Sequence, residues 1–278
     1  MKVAVLADIH GNLPAFEQVT AHIADWGADH VVMAGDVVNR GPDPRACWQL
    51  IEEQQRTDGW QVVRGNHEDY VLVFDGPDAP KSGPGFEIYR NAFWTYQQIN
   101  DKMDGLRAMP FKVSLSGPDG RELRTVHASM LGNRIGVYPE IPAEHLRQLI
   151  APAPAVLCVG HTHRPLIRRL DDTLVVNVGS VGMPFDGDWR TAYAQLTWQD
   201  GQWEAEIIRL TYDRESVAEA FYTSGFIPEA GPLAEIMLIE LRQARSHIHR
   251  WIAHYEPLVL SGELTMEESV QRYLQTSK

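Results

Sequence analysis

Apolar positions along this chain gather into short unbroken runs that each stop at a polar residue or glycine. Val3 to Ala7, Val31 to Ala34, Val62-Val63 and Ala155 to Val159 are such runs, and Thr125-Val126 closes another before His127. Runs this short, without alternation, predict buried strands. The first three are separated by helical patterns. Phe16, Val19, Ile23 and Trp26 recur at three- and four-residue spacing, which predicts a helix from about Pro14 to Trp26. Asp43-Pro44 reads as an N-cap followed by a first-turn proline, opening a helix through Gln54. Strands at His30 to Ala34 and Trp60 to Arg64 complete a βαβαβ run, hence a parallel sheet with right-handed crossovers.

Further on, the pattern changes. Asp75 to Pro84 is rich in Gly, Pro and Asp and reads as a loop leaving the core; Phe86 to Leu106 reads as helical. Its aromatics Tyr89, Phe93, Trp94 and Tyr96 suit packing, with a cap over a site (Tyr89, Arg90 or Trp94 touching substrate) as the alternative. Lys112 to Leu115 and Glu122 to His127 flank Gly117-Pro118-Asp119-Gly120, a hairpin signal. Strands are expected at Ala155 to Val159, Leu166 to Leu170, Thr173 to Val178, Thr191 to Thr197 and Trp203 to Leu210. Turns at Asp171-Asp172 and Asp200-Gly201 make this half largely antiparallel. Beyond Asp213 the pattern is helical. Met237, Leu241, Ala244, Ile248, Trp251 and Tyr255 form a narrow seam facing one partner: the Arg214 to Tyr222 helix, the Glu267 to Gln275 helix, or another subunit in a homodimer. His247, His249 and His254 on that helix lack the i,i+4 pairing of a helical metal site and are expected to be solvated.

The chemistry sits where the apolar runs end. Asp8-Ile9-His10, Gly35-Asp36, Gly65-Asn66-His67-Glu68, His127 and Gly160-His161-Thr162-His163 all follow predicted strands. Carboxyl ends of strands in open α/β sheets are where ligands bind. Together they present two aspartates, an asparagine and five histidines, donors suited to borderline divalent metals. One such segment alone would be an ordinary turn or cap.

As an ordered set these blocks resemble the calcineurin-like metallophosphoesterases, whose signature runs D-x-H, G-D, G-N-H-[DE], a lone H, and G-H-x-H. The resemblance implies an α+β fold: a four-layer α/β/β/α sandwich of two mixed sheets flanked by helices. The signature lies within residues 8–163 and says nothing direct about 210–278; the expected domain is 1–212, with 75–110 as a candidate cap insertion, and 213–278 is expected to be a helical extension packed on the core or on a second subunit. The resemblance also implies two divalent metal ions. Asp36 would bridge them; Asp8, His10 and His163 would complete one site, and Asn66, His127 and His161 the other. Manganese, iron, zinc, cobalt and nickel all suit these ligands, with manganese or iron preferred. A bridging hydroxide would attack phosphorus in line. His67, free of the metals, is assigned to the leaving-group oxygen as general acid or hydrogen-bond donor. Arg40 can offer a planar fork to a phosphate oxygen, its alternative being a surface salt bridge. Asn66, His67 and Arg40 would all meet substrate.

Two departures separate the chain from the serine/threonine protein phosphatases. Asn39 stands where they carry an aspartate that pairs with the catalytic histidine, and His127 is followed by Ala128-Ser129 rather than Gly-Gly. Hydrolysis of phosphodiesters or nucleotides is therefore expected; dinucleoside polyphosphates, phosphomonoesters or phosphoproteins are alternatives, as is a scaffold that kept the fold without the chemistry. Asn177 to Gly182 suits a tight loop better than a phosphate nest.

Composition adjusts this reading only slightly. The 278 residues are 44% hydrophobic and 22% charged, as in ordinary globular proteins. A formal charge of −12 disfavours non-specific nucleic-acid or membrane binding. It also disfavours a small phosphoester or nucleotide unless two divalent cations make the pocket locally positive. No apolar run nears the roughly 20 residues of a membrane span, no signal peptide is evident, and Cys47 and Cys158 read as buried thiols, so a cytoplasmic location is expected.

Overall fold

In a computed structural model, which describes residues 1–276, ten strands form two five-stranded sheets. The first has the order β10-β9-β1-β2-β3, built from β1 (Lys2–Leu6), β2 (His30–Met33), β3 (Gln61–Val62), β9 (Thr191–Gln199) and β10 (Gln202–Leu210). The second runs β4-β5-β6-β8-β7, from β4 (Lys112–Ser116), β5 (Glu122–Val126), β6 (Val156–Val159), β7 (Leu166–Leu170) and β8 (Thr173–Asn177). Val3, Val5, Val32 and Ala194 of one sheet and Val156, Cys158 and Val176 of the other belong to a single buried cluster, so the sheets pack face to face. Small β-branched side chains suit that thin, dry layer. Both faces of β1 are covered, which is why Val3 to Leu6 is apolar without alternation.

β1, β2 and β3 are parallel, as the βαβαβ pattern predicts. The second sheet is less antiparallel than its turns suggest. Only its edges, β4–β5 and β7–β8, are antiparallel, while β5, β6 and β8 run parallel through the centre. This central parallel run aims His127 and His161 the same way.

Helices complete the outer layers. Those that precede β4 are α1 (Leu13–Trp26), α2 (Pro44–Asp58), α3 (Asn66–Leu72), α4 (Pro84–Ile88), α5 (Arg90–Ile99) and α6 (Met103–Ala108). α7 (Ala143–Ile150) covers the second sheet through Leu146 and Ile150. After β10 come α8 (Arg214–Thr223), α9 (Phe226–Glu229), α10 (Leu233–Gln243), α11 (Ile248–Leu260) and α12 (Met266–Thr276). Asn12 caps α1, its side-chain oxygen accepting from Ala15 N at 3.1 Å. Asp43 occupies the N-cap position of α2, but its side chain makes no cap bond.

The C-terminal helices pack on this same chain: Val217 and Phe221 join Phe16 and Val19 in one core cluster, and Phe226 meets Trp94 edge-on at 5.0 Å. The segment 86–106 is helical, as its pattern predicts, divided among parts of α4, α5 and α6 with a 3₁₀ turn at Asn100–Lys102. Two expectations need correction. The seam from Met237 to Tyr255 is broken, because α10 ends at Gln243 and Ala244 takes a left-handed φ of 50°. Met237, Leu241, Ile248 and Trp251 are nonetheless buried, so the seam faces inward in two pieces. His247 is buried rather than solvated, its Nδ1 2.8 Å from the Tyr273 hydroxyl. No helix among the described residues is long and apolar enough to cross a membrane.

Candidate metal centre

Strand ends from both sheets deliver the predicted ligands to one place. Asp8, His10 and His163 form one group, and Asp36, His127 and His161 a second; within each, the ligand atoms lie within 4.8 Å of one another. Asp36 Oδ2 stands between them, 3.3 Å from His127 Nε2 and 3.8 Å from His10 Nε2. The side-chain oxygen of Asn66 joins the second group, 2.9 Å from His127 Nε2 and 2.8 Å from His161 Nδ1. Ring or carboxylate atoms of His10, Asp36 and His67 also lie within 4.8 Å of one another, so His67 lies against the cluster.

Backbone strain accompanies this convergence. Asp8, His10, Asp36, Asn39, Arg40, His161 and His163 all have φ between 51° and 70°, a conformation uncommon for residues with a side chain. Each costs on the order of 1–3 kcal/mol, and such outliers persist where the surroundings over-determine them. The loop Asn177 to Gly182 does part of this work. Ser180 Oγ donates to Asp8 O at 2.8 Å, Gly182 N donates to the same oxygen at 3.0 Å, and Val181 N donates to Ala7 O at 2.9 Å. A Cβ on Gly182 would stand 1.8 Å from Ile9 O. This loop is structural, clamping the first ligand segment, and needs no phosphate nest.

The donor atoms fit a cation. Nδ1 of His10 lies 3.3 Å from Asn39 O and Nδ1 of His163 lies 2.5 Å from Met183 O, so both carry hydrogen on Nδ1. Their Nε2 atoms then face each other as bare lone pairs at 3.1 Å. Lone pairs cannot bond to one another; a metal ion between them satisfies both. Nδ1 of His127 similarly donates to Ala34 O at 2.7 Å, leaving its Nε2 for the cluster. Asp8 Oδ1 is buried without a hydrogen-bond partner, while its Oδ2 accepts from His161 N at 2.9 Å.

Electrostatics agree with that fit at His10, His161 and His163, whereas His127 keeps a second proton that a bound cation would have to displace. Burial pushes His10 and His163 well below the usual imidazole range, and burial with the neighbouring His127 lowers His161 to about 3. These rings are neutral, the form that ligates. Burial disfavours charge on His127 too, yet the Asp36 carboxylate outweighs it and raises His127 to about 10. Burial and the repulsion of Asp36 hold Asp8 well above the ordinary carboxylate range. Two buried carboxylates held this close call for positive charge.

Glu68 has no role in the sequence reading beyond its place in the Gly-Asn-His-Glu block, yet it ties the ligand loops together. Its Oε2 accepts from Asp36 N at 2.9 Å and Gly65 N at 2.8 Å; its Oε1 accepts from Val37 N at 2.8 Å and Val38 N at 3.3 Å. Burial, then the nearby Asp36, pushes Glu68 up to about 7 against these donors. Gly65 is obligatory at the same junction, since a Cβ there would fall 2.0 Å from Asp36 Oδ1.

Asn39 orients His67. Its Oδ1 accepts from Arg40 N and Asn91 Nδ2, both at 2.9 Å, and from Thr95 Oγ1 at 3.4 Å. With its oxygen so engaged, the amide turns Nδ2 toward His67 Nδ1 at 2.9 Å. Nδ1 must accept, so the hydrogen of a neutral His67 is on Nε2. Burial lowers His67 to about 3. Arg40 is not in a surface salt bridge. Its guanidinium forms a buried ion pair with Glu240 of α10, and its Nε is buried without a partner. Glu240 is fully buried, and its other oxygen accepts from His247 N and Ile248 N. Trp94 is buried and packs, whereas Tyr89 lines the cavity above the cluster.

Residues 1–201 match the calcineurin-like phosphoesterase superfamily domain, and the chain belongs to that family. Among its relatives, the phosphodiesterase YfcE of Escherichia coli is 50% identical over 200 residues, which span 68% of this chain and 83% of that one. An uncharacterized protein of Methanocaldococcus jannaschii is 26% identical over 233 residues, 78% of this chain and 90% of its own. The metallophosphoesterase structure from Sphaerobacter thermophilus superimposes with a TM-score of 0.67 at 25% identity, over 88% of this chain and all of that one. A solved structure of E. coli Yfce aligns at 22% identity and a TM-score of 0.44, over 76% of this chain and all of its own. The family is metal-dependent, and with a phosphodiesterase among the relatives these likenesses support a phosphoester hydrolase.

Proposed function

We propose that the chain hydrolyses phosphodiesters or nucleotide phosphoesters with two divalent metal ions, manganese or iron foremost. The observation that carries this reading is the pair of opposed lone pairs on His10 and His163 beside Asp36, whose Oδ2 is within 4 Å of histidines from both groups. Asp8, His10 and His163 would hold one ion, Asn66, His127 and His161 the other, and Asp36 both. When bound, the ions would supply an activated water and polarise the phosphoryl oxygens.

The remaining steps belong to side chains. His67 directs Nε2–H at the leaving-group oxygen. Because Asn39 Nδ2 already donates to Nδ1, a second ring proton there would meet another donor, so His67 acts as a neutral hydrogen-bond donor rather than an imidazolium acid. Such a donor stabilises developing charge without transferring its proton. This favours substrates whose leaving groups need little protonation, and disfavours phosphoserine and other alkyl monoesters. Arg40, steadied by Glu240, keeps donors free for a non-bridging phosphate oxygen.

The test is a metal analysis coupled to a substrate panel. Protein reconstituted with manganese, iron, zinc, cobalt or nickel should bind two ions and hydrolyse aryl diesters or nucleotide phosphates faster than alkyl monoesters. A chain that takes up no divalent metal at micromolar concentration would instead be a scaffold on this fold.

A further inference from the structure

A cavity of ≈ 810 Å³ opens over the metal cluster, lined by Asp36, Asn66, His161 and His163, by Arg245 and Ser246 from the turn between α10 and α11, and by His249 and Arg250 from the first turn of α11. That is the size of a nucleotide-scale ligand site, far more than a single phosphoryl group needs. The charges lining it are unevenly compensated. Arg40 is paired with Glu240, Arg164 with Glu140, and Asp186 with Arg209. Arg134, Arg245 and Arg250 face the same cavity and have no carboxylate partner among the described residues; Glu256 is the remaining anion near them. In a chain of net charge −12, surface arginines readily find carboxylates, as Arg45, Arg147 and Arg190 do. Uncompensated arginines concentrated in a cleft with metal ligands make a local anion attractor.

The fold holds this turn in place. Gly187 N donates to Ala244 O at 2.9 Å, fixing the reversal at Ala244, and Glu240 Oε1 takes His247 N and Ile248 N at 2.7 and 2.8 Å. The same carboxylate grips Arg40, so one buried group sets both the arginine beside the metal cluster and the start of α11. His249 lines the same cavity as His161.

We infer that Arg245 and Arg250 form a second anion subsite, which takes a phosphate other than the one being hydrolysed. The preferred substrates are then phosphodiesters that carry a further phosphate, such as 5′-phosphorylated nucleotide esters. This rests on the phosphoester-hydrolase reading above and deepens it.

Thymidine 3′-(p-nitrophenyl phosphate) and its 5′-phosphorylated form share the scissile bond and the leaving group, and differ only in the added anion. Metal-loaded full-length protein should prefer the 5′-phosphorylated ester by about tenfold or more in kcat/KM, the scale of one charge-assisted contact. The paired substitution Arg245→Gln/Arg250→Gln should bring that ratio to about one. The pair Arg245→Lys/Arg250→Lys should retain part of it. Calorimetry gives a readout without turnover: thymidine 3′,5′-bisphosphate should bind more tightly than thymidine 3′-monophosphate, and the glutamine pair should erase the difference. Full preference in the glutamine pair, or equal hydrolysis of both esters by the unsubstituted protein, overturns the subsite while leaving the hydrolase reading intact. Hydrolysis of neither ester by metal-loaded protein overturns the parent reading and the subsite with it.

Discussion

Replacing Glu68 by glutamine probes the junction on which the ligand loops depend. Four backbone N–H groups, from Asp36, Val37, Val38 and Gly65, converge on its carboxylate. Glutamine keeps the shape but offers one acceptor oxygen, and its NH₂ must confront two of those donors. If the oxygen stays with Asp36 and Gly65, the N–H groups of Val37 and Val38 lose their partner; the flipped amide loses the other two. A buried donor left unpaired costs about 1–3 kcal/mol, so two cost about 2–6 kcal/mol, with the lower end expected because the Val38 contact is already long at 3.3 Å. Against a typical stability of about 5–15 kcal/mol that is a large loss. Urea unfolding of the metal-stripped protein measures it directly. The measurement belongs at pH 8, above the value of about 7 to which burial raises Glu68, so that the native carboxylate is ionised. Because Asp36 N is among the four donors, metal occupancy by atomic emission should fall as well. A loss below about 0.5 kcal/mol with full metal content would mean the four contacts carry little of the junction's energy, and the clamp would have to be given up.

Other expectations follow from neighbouring contacts. Asp36→Asn should abolish activity and lower occupancy at both positions, since a neutral amide bridges poorly, whereas His163→Ala should mainly empty one; two full sites in the Asp36 variant would refute the bridge. His67→Ala should cost roughly 10²-fold with an alkoxide leaving group, in the range of one lost oxyanion donor, and much less with nitrophenolate. Equal losses would assign His67 to phosphate binding instead. Asn39→Asp would place a carboxylate oxygen against His67 Nδ1, favour the protonated ring, and raise relative activity on alkyl monoesters; a flat response would exclude the Asn39–His67 contact as the cause of leaving-group preference. Ile248→Asp sets a charge in the buried seam beside Glu240 and should destabilise by about 2–5 kcal/mol. An unchanged melting temperature would show that α11 does not depend on this packing.

Much of the site was legible in the linear chain because its chemistry is local to strand ends. An unbroken apolar run can only be a buried element, and the first polar residue beyond it must emerge at a sheet edge. Asp8, Asp36, Asn66, His127, His161 and His163 are all such residues or stand one or two beyond them, and both sheets point them at one centre. The helix α1 was equally plain, since its apolar spacing is a short-range feature. What only the tertiary structure decided involves partners far apart in sequence. Alanine is a strong helix former, so nothing local marks Ala244 as a break; the bond from Gly187 and the carboxylate of Glu240 impose it. Arg40 meets Glu240 across 200 positions, and Asn39 is oriented by Asn91 and Thr95 across more than 50. Periodicity records which face of an element is buried but not which polar group will meet it there. The tautomer of His67 and the cationic turn above the cluster therefore emerge only when the distant helices have closed over the strand ends.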